Sequence, residues 1–248
     1  MASLDHQEGL SVQQHSTSKV CVLLPAFNEA RHIEQCLRAT QVAFPHALIL
    51  VVDNNSTDDT AAIARSMGAL VVTETVPGKG RAVSAGVKLA LEEGCSWIAL
   101  HDADNEYHAG HLATLVDACR AEDGAGQPAL VMGVGLREVA LGHVLWRSLL
   151  ANFVARTALR LALRKTPPSD ILTGARVMNA SLARMLFDCP DGKAPYKGFE
   201  LETALTRKAL AAGAKLVSAP VRYSPRAVTE KKIKAWDMLG ILKAAWYA

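Results

Sequence analysis

Trp97-Ile-Ala-Leu-His-Asp-Ala-Asp-Asn-Glu106 is the stretch that decides how the chain folds. Its first four residues form an apolar run with no polar face, which suits a strand buried on both sides of a parallel sheet. The run breaks into His101-Asp-Ala-Asp104, so two carboxylates one residue apart stand at a strand end. Both can face a hard cation there, and Mg2+ or Mn2+ takes oxygen ligands while keeping places for substrate phosphates. An Asp-x-Asp that only opens a turn and caps a helix would look the same in isolation. Its neighbours tip the balance towards chemistry.

On one side stands Val20-Cys-Val-Leu-Leu24, ended by Pro25 and followed by Asn28-Glu29. A second apolar run, 48–52, leads into Asp53-Asn54-Asn55. Helical patterns fill 28–40, with Asn28 as N-cap, and then 56–67, 81–93 and 109–121. Further strands are expected at 69–73 and 130–134. This β-α-β-α order predicts an α/β fold with a mainly parallel, Rossmann-like sheet flanked by helices. Right-handed crossovers then bring the strand carboxyl ends to one edge, where ligands bind in such folds. Three acidic or amide clusters converge on that edge.

Asp53 is placed there to accept from a base N–H or a ribose hydroxyl, and Asn28 or Glu29 to bond base or sugar edges. Val76-Pro-Gly-Lys-Gly80 is a turn whose glycines allow close backbone approach, with Lys79 ready to meet a nucleotide or its phosphate. It is not a Walker A loop. Ser56, Thr57 and Asp58 read as helix-start residues.

The second half is less regular. A long helix over 142–164, carrying Arg147, Arg156 and Arg160, reads as amphipathic with a basic face. A strand-like 171–178, a helix over 197–212 and a strand over 216–223 follow. The last segment, 230–247, reads as an amphipathic helix that either packs on the domain or lies on an anionic membrane surface. The expected organisation is a disordered polar tail at 1–18, a catalytic domain at 19–229 and a C-terminal helix at 230–248 that is part of the domain or docked on it.

Composition narrows the class. The 248 residues are 50% hydrophobic and 21% charged, with a net charge of +3. That suits an ordinary globular domain and an anionic small ligand rather than nucleic acid, which calls for a clustered basic stripe. The five cysteines form no C-x-x-C pair, and the eight histidines show no metal-ligand spacing. His101 reads as a strand-end residue, His108 and His111 as helix-start residues. The N-terminus has no apolar signal core, and no run reaches a membrane span. A cytoplasmic location, at most peripheral at the inner face of the membrane, is expected.

Taken in order and spacing, these segments resemble family 2 glycosyltransferases of the GT-A fold. Within them the likeness is to the dolichyl-phosphate mannose synthase and polyprenyl-phosphate sugar transferase branch. The match continues through Met132-Gly-Val-Gly-Leu-Arg137, Arg147-Ser148, Asp170-Ile-Leu-Thr-Gly-Ala-Arg176, Lys197-Gly-Phe-Glu-Leu-Glu202 and Val221-Arg-Tyr-Ser-Pro-Arg226. It covers about residues 19–237. The resemblance implies a GT-A sheet with a C-terminal elaboration on the acceptor side. Pro25, Ala26, Asn28, Glu29 and Asp53 would hold the nucleoside, with Lys79, Asp102 and Ala103 completing the nucleotide-sugar set. Asp102 and Asp104 would bind Mg2+ or Mn2+, with Glu106 where the synthases often carry a Gln ligand. Arg137, Arg147 and Ser148 would face the acceptor, and Arg226 with Lys231 or Lys232 the donor diphosphate. One helical turn before Ser148, where the synthases carry Arg, this chain has Val144.

The resemblance also implies inversion at the anomeric carbon by single displacement from a UDP- or GDP-sugar. A phosphate acceptor is already anionic, whereas a hydroxyl acceptor needs a general base. Asp170, Glu200 and Glu202 are the catalytic candidates, weighed against a turn hydrogen bond for the first and helix capping for the others. The expected partners are the nucleotide-diphosphate sugar and an acceptor that is a lipid phosphate, a small molecule or a modified polymer. The C-terminal helix admits a membrane contact, and a homo-oligomer is compatible with the sequence. Two other readings are a retaining glucosyl-3-phosphoglycerate synthase-like transferase, which shares the Pro-Ala-x-Asn-Glu start and Gly-Lys-Gly turn, and a nucleotidyltransferase. The latter normally needs a Gly-rich basic loop where Pro25 to Glu29 stand.

Overall fold

The computed structural model describes residues 18–123, 129–139, 146–188, 194–198, 200–224 and 237–247. The N-terminal tail and the 230–236 part of the expected last helix lie outside these residues. Seven strands form one sheet in the order β3-β2-β1-β4-β6-β5-β7. The donor half is the doubly wound part: β1 (Val20–Ala26), β2 (Leu48–Asp53), β3 (Leu70–Thr73) and β4 (Trp97–Leu100) are all parallel. Between them run α1 (Ile33–Ala43), α2 (Thr60–Ser66) and α3 (Lys79–Glu92).

The period of two explains why these strands look continuously apolar. Val20, Val22, Leu24 and Ala26 of β1 enter the core on one face of the sheet, and Cys21 and Leu23 the core on the other. Trp97 and Ala99 of β4 join the first core, Ile98 and Leu100 the second. Helices cover both faces, as a parallel sheet requires. The first core takes α1 and α4 (Ala109–Asp123) through Ile33, Leu37, Leu112 and Leu115, and the second takes α3 through Val83 and Val87.

Strand β5 (Val131–Val139) continues the sheet, but β6 (Arg176–Asn179) runs antiparallel to both β4 and β5. The strand expected over 171–178 is therefore shorter, because residues 170–175 form a loop against the site. A helix that the apolar pattern did not mark, α6 (Ala180–Phe187), follows, capped by Asn179, whose side chain accepts from the Leu182 N–H. Then come α7 (Leu201–Ala211) and β7 (Lys215–Tyr223), parallel to β5.

Helix α5 (Trp146–Leu163) and α8 (Asp237–Tyr247) close this end. A small core of Ala155, Leu159, Ile171, Leu210, Ile241 and Ala245 joins α5, α7 and α8. The C-terminal helix thus packs on the domain, one of its two expected roles. Among the described residues no helix is long and apolar enough to cross a membrane. Of the basic face expected of α5, Arg160 is exposed and Arg156 half-buried, and apolar side chains share the solvent side. Its solvent side carries Leu149, Leu150, Phe153, Val154 and Leu161, while Asn152 turns inward.

Candidate active site

Register brings the first polar groups together. Ala26 pairs with Asp53 and Asp53 with Thr73, while Leu23 pairs with Leu100, so the loops after β1, β2 and β4 leave the same edge. The sheet order reverses between β1 and β4, the place where open α/β sheets leave a crevice. All three loops turn on an asparagine in the left-handed region: Asn28 at φ 51°, Asn55 at 62° and Asn105 at 60°. Asparagine tolerates that conformation better than other side chains with a Cβ.

The loop after β1 is clasped by the loop after β2. The Asn28 N–H donates to Ser56 Oγ at 2.9 Å, and the Thr57 N–H donates to Asn28 Oδ1 at 2.8 Å. The Glu29 N–H donates to Thr60 Oγ1 at 2.8 Å, and the Ala30 N–H to Asp58 Oδ2 at 3.1 Å. Asn28 is therefore not the cap of α1, whose N-cap position is His32. Ser56, Thr57 and Asp58 brace this clasp as well as the start of α2. Glu29 and Asp53 are buried. Asp53 Oδ1 has no hydrogen-bond partner. A buried acceptor without a donor is costly, and it marks where a ligand N–H or O–H fits. Ala103 is different: its side chain belongs to the core.

Asn54 holds the next piece in place. Its Nδ2 donates to the Glu74 and Val76 carbonyls at 3.0 and 2.9 Å, and its Oδ1 accepts from the Gly78 N–H at 2.7 Å. Gly78 has φ 139°, and a Cβ there would collide with the Lys197 carbonyl. Lys79, the first residue of α3, is thereby aimed across the edge. Its Nζ lies 2.7 Å from Asp102 Oδ1 and 2.8 Å from Glu202 Oε1. Burial works against this ammonium, but the Asp102 and Glu202 carboxylates outweigh it and hold its pKa well above the ordinary lysine range.

Asp102 is also bounded from above. A Cβ on Gly174 would collide with Asp102 Oδ2, so the 170–174 loop lies directly on the carboxylate. Asp104 Oδ1 accepts from the Glu106 N–H at 3.1 Å, and Glu106 Oε2 accepts from the Tyr223 hydroxyl at 2.8 Å. Among the described residues no three His, Cys, Asp or Glu side chains converge as a metal cage. The expected trio of Asp102, Asp104 and Glu106 is thus not assembled as one, with Glu106 turned to Tyr223. The remaining donor set, two carboxylates on one strand-end loop, fits a Mg2+-type ion that takes its other ligands from phosphate and water. An ammonium already beside Asp102 shows that the spot favours positive charge. His101 is buried, and desolvation pushes its pKa down to about 4, so it adds no charge near neutral pH.

A second charged centre lies across the 170–174 loop. Arg137, near the end of β5, meets Asp170 in a two-pronged pair, Nε to Oδ2 at 2.5 Å and Nη2 to Oδ1 at 2.9 Å. Its Nη1 donates towards Ser148 Oγ at 3.4 Å, and its guanidinium lies 5.5 Å from the centre of the Tyr223 ring. Burial opposes the Arg137 charge and the Asp170 hydrogen bonds restore it. The loop itself is heavily braced. The Ile171 N–H donates to Asn152 Oδ1 at 2.9 Å, and the Gly174 N–H to the Tyr107 hydroxyl at 3.0 Å. Arg176, fully buried, donates to the Ile171 and Thr173 carbonyls at 2.6 and 3.1 Å and to Thr206 Oγ1 at 2.8 Å.

Of the three carboxylates expected to be catalytic, each has a structural partner. Asp170 holds Arg137, and Glu202 holds Lys79. Glu200 accepts from the Lys197 and Gly198 N–H groups at 2.8 and 3.0 Å. Arg226, Lys231, Lys232 and the Arg147 side chain lie outside the described residues. Sequence reading missed Asn54, Asn152 and Arg176 as positioning residues. Asn54 and Arg176 stood within quoted segments, but neither was given that role.

Comparison with known proteins agrees with this architecture. Residues 21–159 match the family described as Glycosyl transferase family 2. An uncharacterized glycosyltransferase of Mycobacterium tuberculosis is 38% identical over 216 residues, covering 86% of this chain and 89% of the relative. The polyprenol monophosphomannose synthase of Mycolicibacterium smegmatis is 29% identical over 229 residues, covering 88% of this chain and 82% of the synthase. Among solved structures, glucosyl-3-phosphoglycerate synthase from Mycobacterium tuberculosis in complex with Mn2+, UDP and glucosyl-3-phosphoglycerate is similar in fold. The TM-score is 0.67 at 19% identity, over 92% of this chain and 80% of that chain. The doubly wound donor half, the antiparallel β6 and this match make the fold GT-A, and the chain is a glycosyltransferase enzyme that belongs to glycosyl transferase family 2.

Proposed function

We propose that the enzyme transfers a sugar, with inversion, from a nucleotide-diphosphate donor to the phosphate of a lipid acceptor, with a divalent cation at Asp102 and Asp104. The observation that carries this reading is the reach of one loop. Asp170 grips Arg137, and four residues later Gly174 lies on Asp102. Four residues of chain span at most about 14 Å. A carboxylate edge suited to a metal-diphosphate and an arginine suited to a phosphate therefore stand on either side of one short loop.

In this mechanism the nucleoside lies over Pro25 and Ala26, with Asn28 and Glu29 beside it, and Asp53 Oδ1 accepts one of its N–H or O–H groups. The cation would be held by Asp102 and Asp104 and would offset charge on the departing diphosphate. Lys79 stays tethered to Glu202 and turns its other N–H groups from Asp102 to the diphosphate. Arg226 and Lys232 are assigned to that diphosphate as well. Arg137, Arg147 and Ser148 orient the acceptor phosphate. Its oxygen attacks the anomeric carbon, the bond from that carbon to the diphosphate oxygen breaks, and the nucleoside diphosphate leaves with the electron pair. A phosphate acceptor needs no base. That suits the three carboxylates, each of which serves a neighbouring group. The 29% identity to a polyprenol monophosphomannose synthase supports the lipid phosphate.

The likeness to a glucosyl-3-phosphoglycerate synthase keeps a second reading, transfer with retention to a small phosphorylated acid. The test is thermal stabilisation by UDP-, GDP- and dTDP-sugars with and without Mn2+ or Mg2+, on wild type and Asp104→Ala, followed by transfer assays with polyprenyl phosphate and 3-phosphoglycerate. A metal-dependent shift with one nucleotide, lost in the variant, and an inverted polyprenyl product are expected. No shift with any nucleotide sinks the donor site, and a retained glycerate product replaces the acceptor.

A further inference from the structure

We propose that Tyr223 is a positioning residue that fixes the Asp102–Asp104 loop against Arg137, its hydroxyl acting on the loop and its ring on the arginine. A buried tyrosine ordinarily fills volume and finds a partner for its hydroxyl. Tyr223, the last residue of β7, does more, because the two parts of its side chain meet the two halves of the site. Its hydroxyl donates to Glu106 Oε2 at 2.8 Å, and the Arg137 guanidinium lies over its ring, 5.5 Å from the centre. Tyr223 and Glu106 are both buried, where a hydrogen bond to a carboxylate is stronger than in water.

Glu106 matters through Asp104. The Glu106 N–H donates to Asp104 Oδ1 at 3.1 Å, and Asn105 between them takes the left-handed turn at φ 60°. The direction of the Asp104 carboxylate therefore depends on where Glu106 is held. The end of β7 holds it twice, by the Tyr223 hydroxyl on its side chain and by the Ser224 N–H, which donates to the Glu106 carbonyl at 2.8 Å. On the other side, Arg137 pairs with Val221 in the parallel register, so Arg137 and Tyr223 stand on one face of the sheet. Asp170 grips the guanidinium in its own plane, and the Tyr223 ring adds an attraction for the cation. Tyr107 backs the arrangement. Its ring centre is 5.1 Å from that of Tyr223, and its hydroxyl accepts from the Gly174 N–H at 3.0 Å. A phenylalanine at 223 would fill the same space and still meet Arg137, but it would take this donor from Glu106. The hydroxyl serves the cation side and the ring the acceptor side. This inference rests on the proposed cation at Asp102 and Asp104 and the proposed acceptor phosphate at Arg137.

Thermal melts with UDP or GDP across a Mn2+ series give the metal concentration for half-maximal stabilisation. Transfer assays with polyprenyl phosphate and with 3-phosphoglycerate give the acceptor KM. Tyr223→Phe should raise the Mn2+ midpoint on the order of tenfold, through loss of a hydrogen bond to a charged group. At saturating Mn2+ its acceptor KM should stay within about twofold of wild type. Tyr223→Leu should raise both constants, since it removes the ring as well. Glu106→Ala should match Tyr223→Phe, and the two together should be no worse than either alone. Melts without ligand check that each variant folds. An unchanged Mn2+ midpoint in Tyr223→Phe, a rise of both constants together in that variant, or losses that add in the double variant each overturn the proposal. All three leave the donor site standing. A wild type with no Mn2+-dependent shift removes the donor site, and the tether with it.

Discussion

The donor and acceptor halves of the site are held in place in different ways. Around Asp53 and Asp102 each functional group sits at the end of a buried parallel strand, and the loop that follows turns on its own asparagine. Around Arg137 and Asp170 the groups come from a strand, a helix start and a loop, and that loop is pinned from several sides. Asn152 holds it from 19 residues upstream, Tyr107 from 67, and Arg176 ties it to Thr206, 30 residues on. Strand ends place the donor side by backbone geometry; the acceptor side depends on buried side-chain hydrogen bonds. Damage to the first should therefore fall on chemistry with little loss of stability, and damage to the second on both.

The largest effect is expected where the halves touch. Gly174 has no room for a Cβ because Asp102 Oδ2 occupies that place. Gly174→Ala must displace either the loop or the carboxylate, and should cost as much activity as Asp102→Asn. Removing one well-placed charged group from a transfer site lowers kcat by roughly 100- to 1,000-fold. The two substitutions should differ in urea unfolding, with Gly174→Ala losing more stability than Asp102→Asn, which leaves Lys79 its Glu202 partner. Near wild-type transfer by Gly174→Ala would mean that the loop moves freely and that the halves are not coupled at this point.

Next in size is Arg176→Met, which keeps the length of the side chain but removes its donors. The Ile171 and Thr173 carbonyls would lose a buried partner, at about 1–3 kcal/mol for each unsatisfied group. A lower urea midpoint together with a raised acceptor KM is expected, with nucleotide binding unchanged. Asn28→Ala is the matching change on the donor side. It removes one exposed clasp acceptor at a left-handed residue and should cost about 1–2 kcal/mol. Equal losses from the two would erase the distinction between the halves.

The same distinction explains what could be read from the sequence. Strands β1, β2 and β4 were legible because burial on both faces leaves a local signature, and the polar clusters that follow them mark the edge. Lys79 and Asp102 do meet there, and Asp53 ends its strand on the same edge. The antiparallel β6 and the short α6 were not legible, since no local pattern gives strand direction, and the apolar residues of α6 (Leu182, Ala183 and Leu186) fill a core shared with distant elements. Arg176 carried no sign of burial, because its partners lie in segments that only the fold brings near. Nor did α5 reveal which of its two apolar faces would be covered.

The smallest effect probes the asparagines on which the loops turn. Asn105, at φ 60°, stands between Asp104 and Glu106 on the Asp-x-Asp loop. If its service is to the backbone, Asn105→Gly should preserve both stability and metal-dependent nucleotide binding, since glycine enters the left-handed region without strain. Asn105→Ala should cost about 1 kcal/mol or less, because alanine lacks the short polar side chain that lets asparagine tolerate that conformation. Thermal melts of the two variants, each with and without nucleotide-sugar and Mn2+, separate the roles. A side chain that touches the donor would be missed equally in both variants, and the ligand-induced shift would fall in each. A side chain that only shapes the turn would be missed in Asn105→Ala alone. The glycine variant decides the matter because it keeps the turn and removes the amide.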